Sequence, residues 1–330
     1  MTGGRWIDLG DIDAREMHAV PLAIAECLRG GDRPVLLWMR SAQTQMCVGA
    51  SQDPGAELDL VACRFQGVVT TRRCLGGGTV LVDDGQDSFY LIVHRDRVRA
   101  AREILFSVVL AAARSTYRAF GLNPQTVGTG DLWCGQRKIM GSGAASVGEA
   151  HLIGASFLYR FDAKAFAALV SAPTSGYRHW LGRALREGMT DWITEGTPPE
   201  RFELAERFRT DLGRNLGLCF GGSQLGAAEL DELPQARVEL EQGVDPNGRR
   251  QIRHGIKVNH GTFLLEFEST RLILKQGRIQ RIRHRNRDLD ELQGLVPISA
   301  AFDRAARRCL GPVAASPLIG EAREAIRGIP

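Results

Sequence analysis

No run of apolar residues in this chain approaches the ~20 that a helix needs to cross a bilayer, so neither a membrane span nor a membrane partner is expected. No Cys-x-x-C occurs, and the seven cysteines, at 27, 47, 63, 74, 134, 219 and 309, are scattered and odd in number. That argues against a disulfide framework and fits reduced thiols in a cytoplasm. The histidines at 151, 179, 254, 260 and 284 have no metal-ligand spacing with those cysteines, so no zinc site is expected. No Gly-Lys-Ser/Thr follows the glycine-rich stretch, which excludes a P-loop, and a strand rather than a helix follows it, which excludes a dinucleotide fingerprint. Excess charge is small: 42 Lys+Arg stand against 38 Asp+Glu, for a net +4. This balance does not call for nucleic acid and suits a phosphate-bearing ligand or an acidic protein partner. The six basic residues from Arg278 to Arg287 alternate with Ile279 and Ile282 and have almost no aromatic interleaving, the pattern of a solvated strand face. The first residues, Met1-Thr-Gly-Gly-Arg-Trp-Ile-Asp8, carry no apolar core region, so a secretory signal is not expected.

What is present is an ordinary soluble composition, 44% hydrophobic and 24% charged over 330 residues, enough for one large domain with or without a smaller one. Apolar spacing predicts a helix over 13–28 with Met17, Val20, Leu22, Ile24 and Leu28 inward. Buried strands are predicted at 34–39, 45–48, 67–71, 79–82, 88–94 and 152–160. A long helix over 97–121 would turn Ile104, Val108, Ala111, Ala112 and Tyr117 inward. Residues 172–196 read as a flexible, basic connection or an ordinary loop with a short helix. A helix over 200–216 follows, and Gly221-Gly222-Ser223 with Gly226 reads as a linker. Beyond it come strands at 236–240, 261–269, 271–275 and 278–284, then a helix over 298–309. Helices grouped on sheets give an α+β class, a mixed or antiparallel sheet flanked by helices with a small α+β C-terminal domain.

Two stretches stand out chemically. Thr71-Arg-Arg-Cys-Leu-Gly-Gly-Gly-Thr-Val-Leu-Val-Asp83-Asp84 joins two strands through three glycines, which order at an entropic cost and pack nothing. Such a run is either a plain turn or backbone laid against a ligand, with N–H groups facing an anion and Arg72 and Arg73 at one end. Asp131-Leu-Trp-Cys-Gly-Gln-Arg-Lys138-Ile-Met-Gly-Ser-Gly143 reads as a hairpin turning at Gly135-Gln136, which sets Trp133 opposite Lys138. A strand lysine is usually just solvated. This one is flanked by glycine turns and by Ile139-Met140.

Together the two stretches resemble the lipoate–protein ligase family, whose loop reads Arg-Arg-x-Ser/Thr-Gly-Gly-Gly-x-Val and whose second motif reads Asn-Asp-Leu, a short turn, then Gly-Arg-Lys-Ile-x-Gly-Ser-Ala. Val48-Gly-Ala-Ser-Gln52 is similar to its Gly-Arg-x-Gln segment, and His151-Leu-Ile-Gly154 to its His-Gly strand. The resemblance spans roughly residues 15–195, and the Lys275-Gln-Gly277 turn with its strands resembles the accessory domain of the bacterial ligases. It implies a biotinyl/lipoyl ligase-like fold with a catalytic domain over 1–222, an accessory domain over 223–311 and a tail over 312–330. It implies a reaction in which lipoate or octanoate attacks ATP to form an acyl-AMP, from which a lysine of a carrier protein takes the acyl group. Lys138 is then the catalytic residue. Arg72, Arg73, Gly76, Gly77, Gly78, Thr79, Val80, Leu81, Asp83, Asp131 and Lys138 would bind ATP and acyl-AMP. Val48, Leu75, Ile139 and Gly141 are candidates for the acyl pocket. ATP and Mg²⁺ are the implied cofactors, with Asp83, Asp84 and Asp131 near the phosphates. The implied partner is a lipoyl-carrier protein: a glycine-cleavage H-like protein, a 2-oxoacid dehydrogenase lipoyl domain or a dedicated lipoate-binding protein.

The chain departs from the family pattern at Ala50, Leu75, Val82, Gly130 and Ile153, each a loss of a polar side chain. Two rival classes therefore stand beside the ligase. One is an octanoyltransferase working through a cysteine thioester with acyl carrier protein as donor. Cys74, after two arginines expected to lower its pKa, and Cys134, across from Arg137, are its candidates. The other is a non-catalytic relative that binds acyl-proteins.

Overall fold

Strand-forming runs rich in Val, Ile, Leu and Trp dominate the first part of the chain. The computed structural model describes residues 2–97, 102–241 and 250–329. Contacts divide the chain into two compact units, one of residues 1–169 and 189–248, the other of 170–188 and 249–330.

The first unit holds β1 (Thr2–Ile12), β2 (Val35–Ser41), β3 (Gln45–Val48), β4 (Val69–Arg72), β5 (Val80–Val82), β6 (Gln86–His94), β7 (Gln125–Val127), β8 (Asp131–Cys134), β9 (Arg137–Val147), β10 (Ala150–Leu158) and β11 (Leu218–Gly222). Eight of these form a mixed sheet in the order β11-β1-β2-β6-β10-β9-β8-β7, and β3 lies between β4 and β5 in a small sheet of its own. Because strand side chains alternate, the large sheet has two apolar faces. One is covered by the helices Arg102–Ala119 and Arg201–Leu216, over a core in which Trp38, Phe89, Tyr117, Phe157, Trp192 and Phe208 meet. Phe89 and Phe208 approach to 4.3 Å between ring centroids. On the other face Met17, Val20 and Ile24 of helix Glu16–Cys27 pack with Leu37, Tyr90 and Leu152, the small sheet adds Cys47 and Val82, and the loop between β4 and β5 adds Leu75.

Several expectations change here. Residues 236–240 are helical, part of Ala227–Glu241, which lies along Glu16–Cys27 with Leu233 and Ala236 against Ala19, Leu22 and Ala23. Gly221 and Gly222 are no linker: they end β11, which pairs in parallel with β1, a strand the sequence pattern did not announce. In the long helix it is Leu105, Val109 and Ala113 that turn inward with Ala112 and Tyr117, whereas Ile104 is exposed. Residues 98–101 at the expected start of that helix lie outside the described residues. Residues 172–196 carry a 14-residue helix, Ser175–Gly188, grouped with the second unit.

The second unit is an antiparallel sheet of β12 (Gly255–Asn259), β13 (Thr262–Glu266), β14 (Thr270–Lys275), β15 (Arg278–His284) and β16 (Arg287–Asp288). Gln276 and Gly277, both at positive φ, make the β14–β15 turn. Phe263, Leu272 and Ile282 pack on the helices Ala300–Leu310 and Pro312–Arg327, so the expected tail is a core helix. The basic strand is not simply solvated, because the Arg281 guanidinium stacks 4.4 Å from the ring centre of buried Trp180 on helix Ser175–Gly188.

Candidate active site

Gly135, at φ +55°, turns β8 into β9 and leaves Cys134 facing Arg137 and Trp133 facing Lys138, the register read from sequence. Leu132 then faces Met140, so Ile139 has no partner and forms a β-bulge. In a regular strand, residues 138 and 141 would point to opposite faces. The extra residue restores them to one face and sends Ile139 and Met140 together into the core under the Arg102–Ala119 helix. Lys138 accordingly lies across Gly141, where a Cβ would stand only 2.4 Å from its Nζ. Asp131, paired with Gly141, holds the ammonium at 2.9 Å, with the two side chains 15% and 20% exposed.

The glycine loop comes down on the same strand. Gly76 N–H donates to the Ala144 carbonyl at 3.2 Å, and a Cβ on Gly143 would stand 2.9 Å from the Gly76 oxygen. Gly141 and Gly143 share a face about 7 Å apart along β9, so the strand positions that meet the Lys138 ammonium and the loop are neighbours. Gly49 runs flat beneath the loop, since a Cβ there would meet the Gly77 oxygen at 2.2 Å. The Gln52 carbonyl oxygen of the side chain accepts from Gly49 N–H at 2.9 Å and from the Thr79 hydroxyl at 3.4 Å. Arg73, 9% exposed, points inward: Nη2 donates to the Gly76 and Gly78 carbonyls at 3.2 and 2.7 Å, and Nη1 to the Cys47 carbonyl at 3.3 Å. It is not the outward charge that the sequence suggested.

Other expected residues are placed as follows. Arg72 donates to the Gln52 backbone carbonyl at 3.2 Å, the Val80 side chain is exposed and Leu81 is buried. Asp83 caps Gly85 N–H at 2.8 Å and stands 3.7 Å from Arg160, which also holds Asp84 at 2.7 Å. Among the described residues no group of three His, Cys, Asp or Glu side chains is arranged to hold a metal. With Asp83 and Asp131 each held by a cation, these side chains do not form a ready Mg²⁺ site. The acyl-pocket candidates do not come together. Leu75 is buried, its Cδ1 within 2.6 Å of where a Gly154 Cβ would be, and packs with Tyr90, whereas Ile139 faces the opposite side of the sheet. Val48 is fully buried in β3. The polar losses at Val82 and Ile153 are likewise explained by burial, and Gly130 makes room for Ser142, whose hydroxyl donates to its carbonyl at 2.7 Å.

The family model for the lipoyl protein ligase A/B catalytic domain matches residues 13–195, the segment that carries both stretches. The chain belongs to this lipoyl protein ligase family. A lipoate-protein ligase A subunit 1 from Thermoplasma acidophilum is 26% identical over 204 residues, covering 58% of this chain and 76% of that one. The solved bi-partite lipoate protein ligase of Thermoplasma acidophilum, described with its E2 lipoyl domain, superposes with a TM-score of 0.66 at 23% identity, over 74% of this chain and 94% of that chain. A lipoate-protein ligase A bound with ATP gives 0.63 at 21% identity, over 74% and 100%. These superpositions show that the α+β fold is that of the ligases.

For a lipoyl protein ligase relative working through a thioester, a reactive cysteine is required. At Cys74 burial pushes the thiol up to about 12, overriding the arginine charge expected to lower it. Burial also pushes Cys134 up to about 11, with Glu195 adding to the effect and Arg137 opposing it. The perturbed cysteine is one that motif reading passed over. Burial works to raise Cys47, but the neighbouring His18 and Arg73 outweigh it and bring it down to about 6. Cys47 is fully buried beneath the loop. Only its place on a strand beside the Gly49–Gln52 segment hinted at this in the sequence. No described helix is long and apolar enough to cross a membrane.

Proposed function

We propose that this chain is an acyl-AMP-forming lipoate–protein ligase. The carboxylate of lipoate or octanoate attacks the α-phosphorus of ATP, forming acyl-AMP and releasing pyrophosphate. The neutral amine of a carrier lysine then attacks the acyl carbon, the bond to AMP breaks, and the amine gives up a proton as the amide forms. Both steps gather negative charge on oxygen, and fixed donors lower such barriers. The Lys138 ammonium supplies the cation, and Asp131 keeps its Nζ in place between turnovers. The N–H groups of Gly77, Gly78 and Thr79 supply a nest for phosphate oxygens. Leu75 would floor the acyl chain near Gly143 and Gly154. Mg²⁺ in this reading travels with the triphosphate, and no step is assigned to it.

The observation that carries the reading is the β-bulge at Ile139, which turns Lys138 onto the sheet face where the glycine loop lands. The relative with bound ATP supports a nucleotide there, and the relative described with an E2 lipoyl domain supports a lipoyl domain as acceptor. The raised thiols of Cys74 and Cys134 weigh against thioester transfer. The test is carboxylate-dependent exchange of labelled pyrophosphate into ATP, with lipoate or octanoate. Wild type should exchange, and Lys138→Ala should lose at least ~10²-fold. Absence of exchange in the wild type with either acid would overturn the ligase reading in favour of transfer from acyl carrier protein or of binding alone.

A further inference from the structure

We infer that Arg73 is a positioning residue, which sets the donor face of the glycine loop from behind rather than touching the nucleotide, with Cys47 as its buried counter-group. The inference rests on the proposed use of the loop but concerns how the loop is held. Its geometry follows from peptide planarity. In a trans peptide the carbonyl of one residue and the N–H of the next point in opposite directions. The Gly76 and Gly78 carbonyls point at Arg73 Nη2, at 3.2 and 2.7 Å, and the Gly77 carbonyl points at Gly49. The N–H groups of Gly77, Gly78 and Thr79 therefore all point away from Arg73 and Gly49, as an anion nest requires. With three glycines and no side chains to pack, nothing in the loop itself selects this arrangement over its mirror-related alternatives.

The guanidinium is spent on this task. Its partners among the described residues are three backbone carbonyls and the Cys47 sulfur at 3.6 Å, with no carboxylate. A buried cation without an anion is costly, and a thiolate is the available one. Cys47 faces Arg73 and Thr71 from the strand and loop beside it, His18 from the helix Glu16–Cys27, and Cys74 and Tyr90 further round. His18 is itself fixed, with Nε2 2.9 Å from the Gln45 Oε1 that also accepts from the Thr71 hydroxyl. The favourable charge at the sulfur comes from Arg73, whose Nη1 lies 3.6 Å away, and the low thiol value given above agrees with this geometry.

Hydrogen exchange of the Gly76 amide in nucleotide-free protein separates positioning from contact, because no ligand is present. Arg73→Lys keeps the charge but loses the forked geometry. Its Gly76 amide should exchange at least tenfold faster than that of wild type, and its calorimetric Kd for ATP should rise as well. Unchanged exchange with weakened ATP binding would overturn the inference and make Arg73 a nucleotide ligand. A second arm does not depend on that variant folding. After correction for intrinsic pH dependence, wild-type protection at Gly76 should fall between pH 7.5 and 5.5 as Cys47 takes up a proton, and Cys47→Ser should show the low protection at both. Equal, pH-independent protection in the two proteins would remove Cys47 from the account. If wild type binds no ATP, the proposed function fails while the exchange result still stands.

Discussion

Adding one methyl group at residue 141 tests the site more sharply than deleting a side chain. Gly141→Ala would put a Cβ 2.4 Å from Lys138 Nζ and 2.6 Å from Cε, against a flexible chain end rather than backbone. The lysine swings aside and loses its 2.9 Å contact with Asp131, while β9 keeps its pairing. The expected outcome is a melting temperature within ~2 °C of wild type and pyrophosphate exchange lowered by at least ~10-fold, since small misplacements of a catalytic group cost that much or more. A fall in melting temperature with full activity would show that Lys138 does not work from this position. The place of Lys138 opposite Trp133 was legible in the sequence, from the hairpin turn at Gly135-Gln136. The bulge that aims it was not. Ile139-Met140 reads equally well as two residues of a strand buried on both faces, and only the pairing with Leu132 and Trp133 shows that one is extra. For the same reason Ile139 was misplaced in the acyl pocket. His18 and Cys47, 29 residues apart in the chain, meet only through the packing of a helix on a strand, which no local pattern encodes.

At the scale of elements, the glycine loop is a strand connection pressed between β3 and β9, and its glycines are not equivalent. Gly49→Ala would drive a Cβ to 2.2 Å from the Gly77 oxygen, backbone against backbone, so the loop must lift. A Cβ on Gly78 meets nothing within 4 Å and points into open space. We expect Gly49→Ala to lose about 1–3 kcal/mol of stability, the usual range for overpacking, along with most of its exchange activity. Gly78→Ala should melt like wild type, so any activity it loses reports a ligand at that spot. Urea midpoints and exchange assays on the two variants check both. Most strands of this unit could be read from the sequence because buried Val, Ile and Leu runs are bounded by turn residues. The helix Ala227–Glu241 could not, because Pro234 sits inside it and its apolar residues, among them Leu230, Leu233, Ala236 and Val238, are spread around its circumference rather than along one stripe.

For the whole molecule, the question is where the chain may be cut. Composition suggests a boundary at the glycines near residue 222, but the chain passes between its two units at 169/170, 188/189 and 248/249, so no cut frees one unit intact. A fragment ending at 222 loses the Ala227–Glu241 helix. That uncovers Ala19, Leu22 and Ala23 and strips Arg5 of Glu229, which holds it in a two-fold ion pair at 2.5 and 2.8 Å. A largely buried arginine left without its carboxylate adds to the loss of apolar cover, and removing one partner of a buried pair typically costs ~3–5 kcal/mol. A fragment ending at 241 keeps that helix and both faces of the large sheet, though it leaves Trp180 without Arg271 and Arg281. We expect fragment 1–241 to melt cooperatively and to keep the near-ultraviolet signal of the Trp38, Phe89, Tyr117, Phe157 and Trp192 cluster. Fragment 1–222 should melt without cooperativity and bind a hydrophobic dye at room temperature. Equal cooperative melting of the two fragments would restore the boundary at 222 and reduce the Ala227–Glu241 helix to an appendage. The predicted difference would instead make that helix, invisible to motif reading, part of what holds Glu16–Cys27, and with it His18, against the strand that carries Cys47.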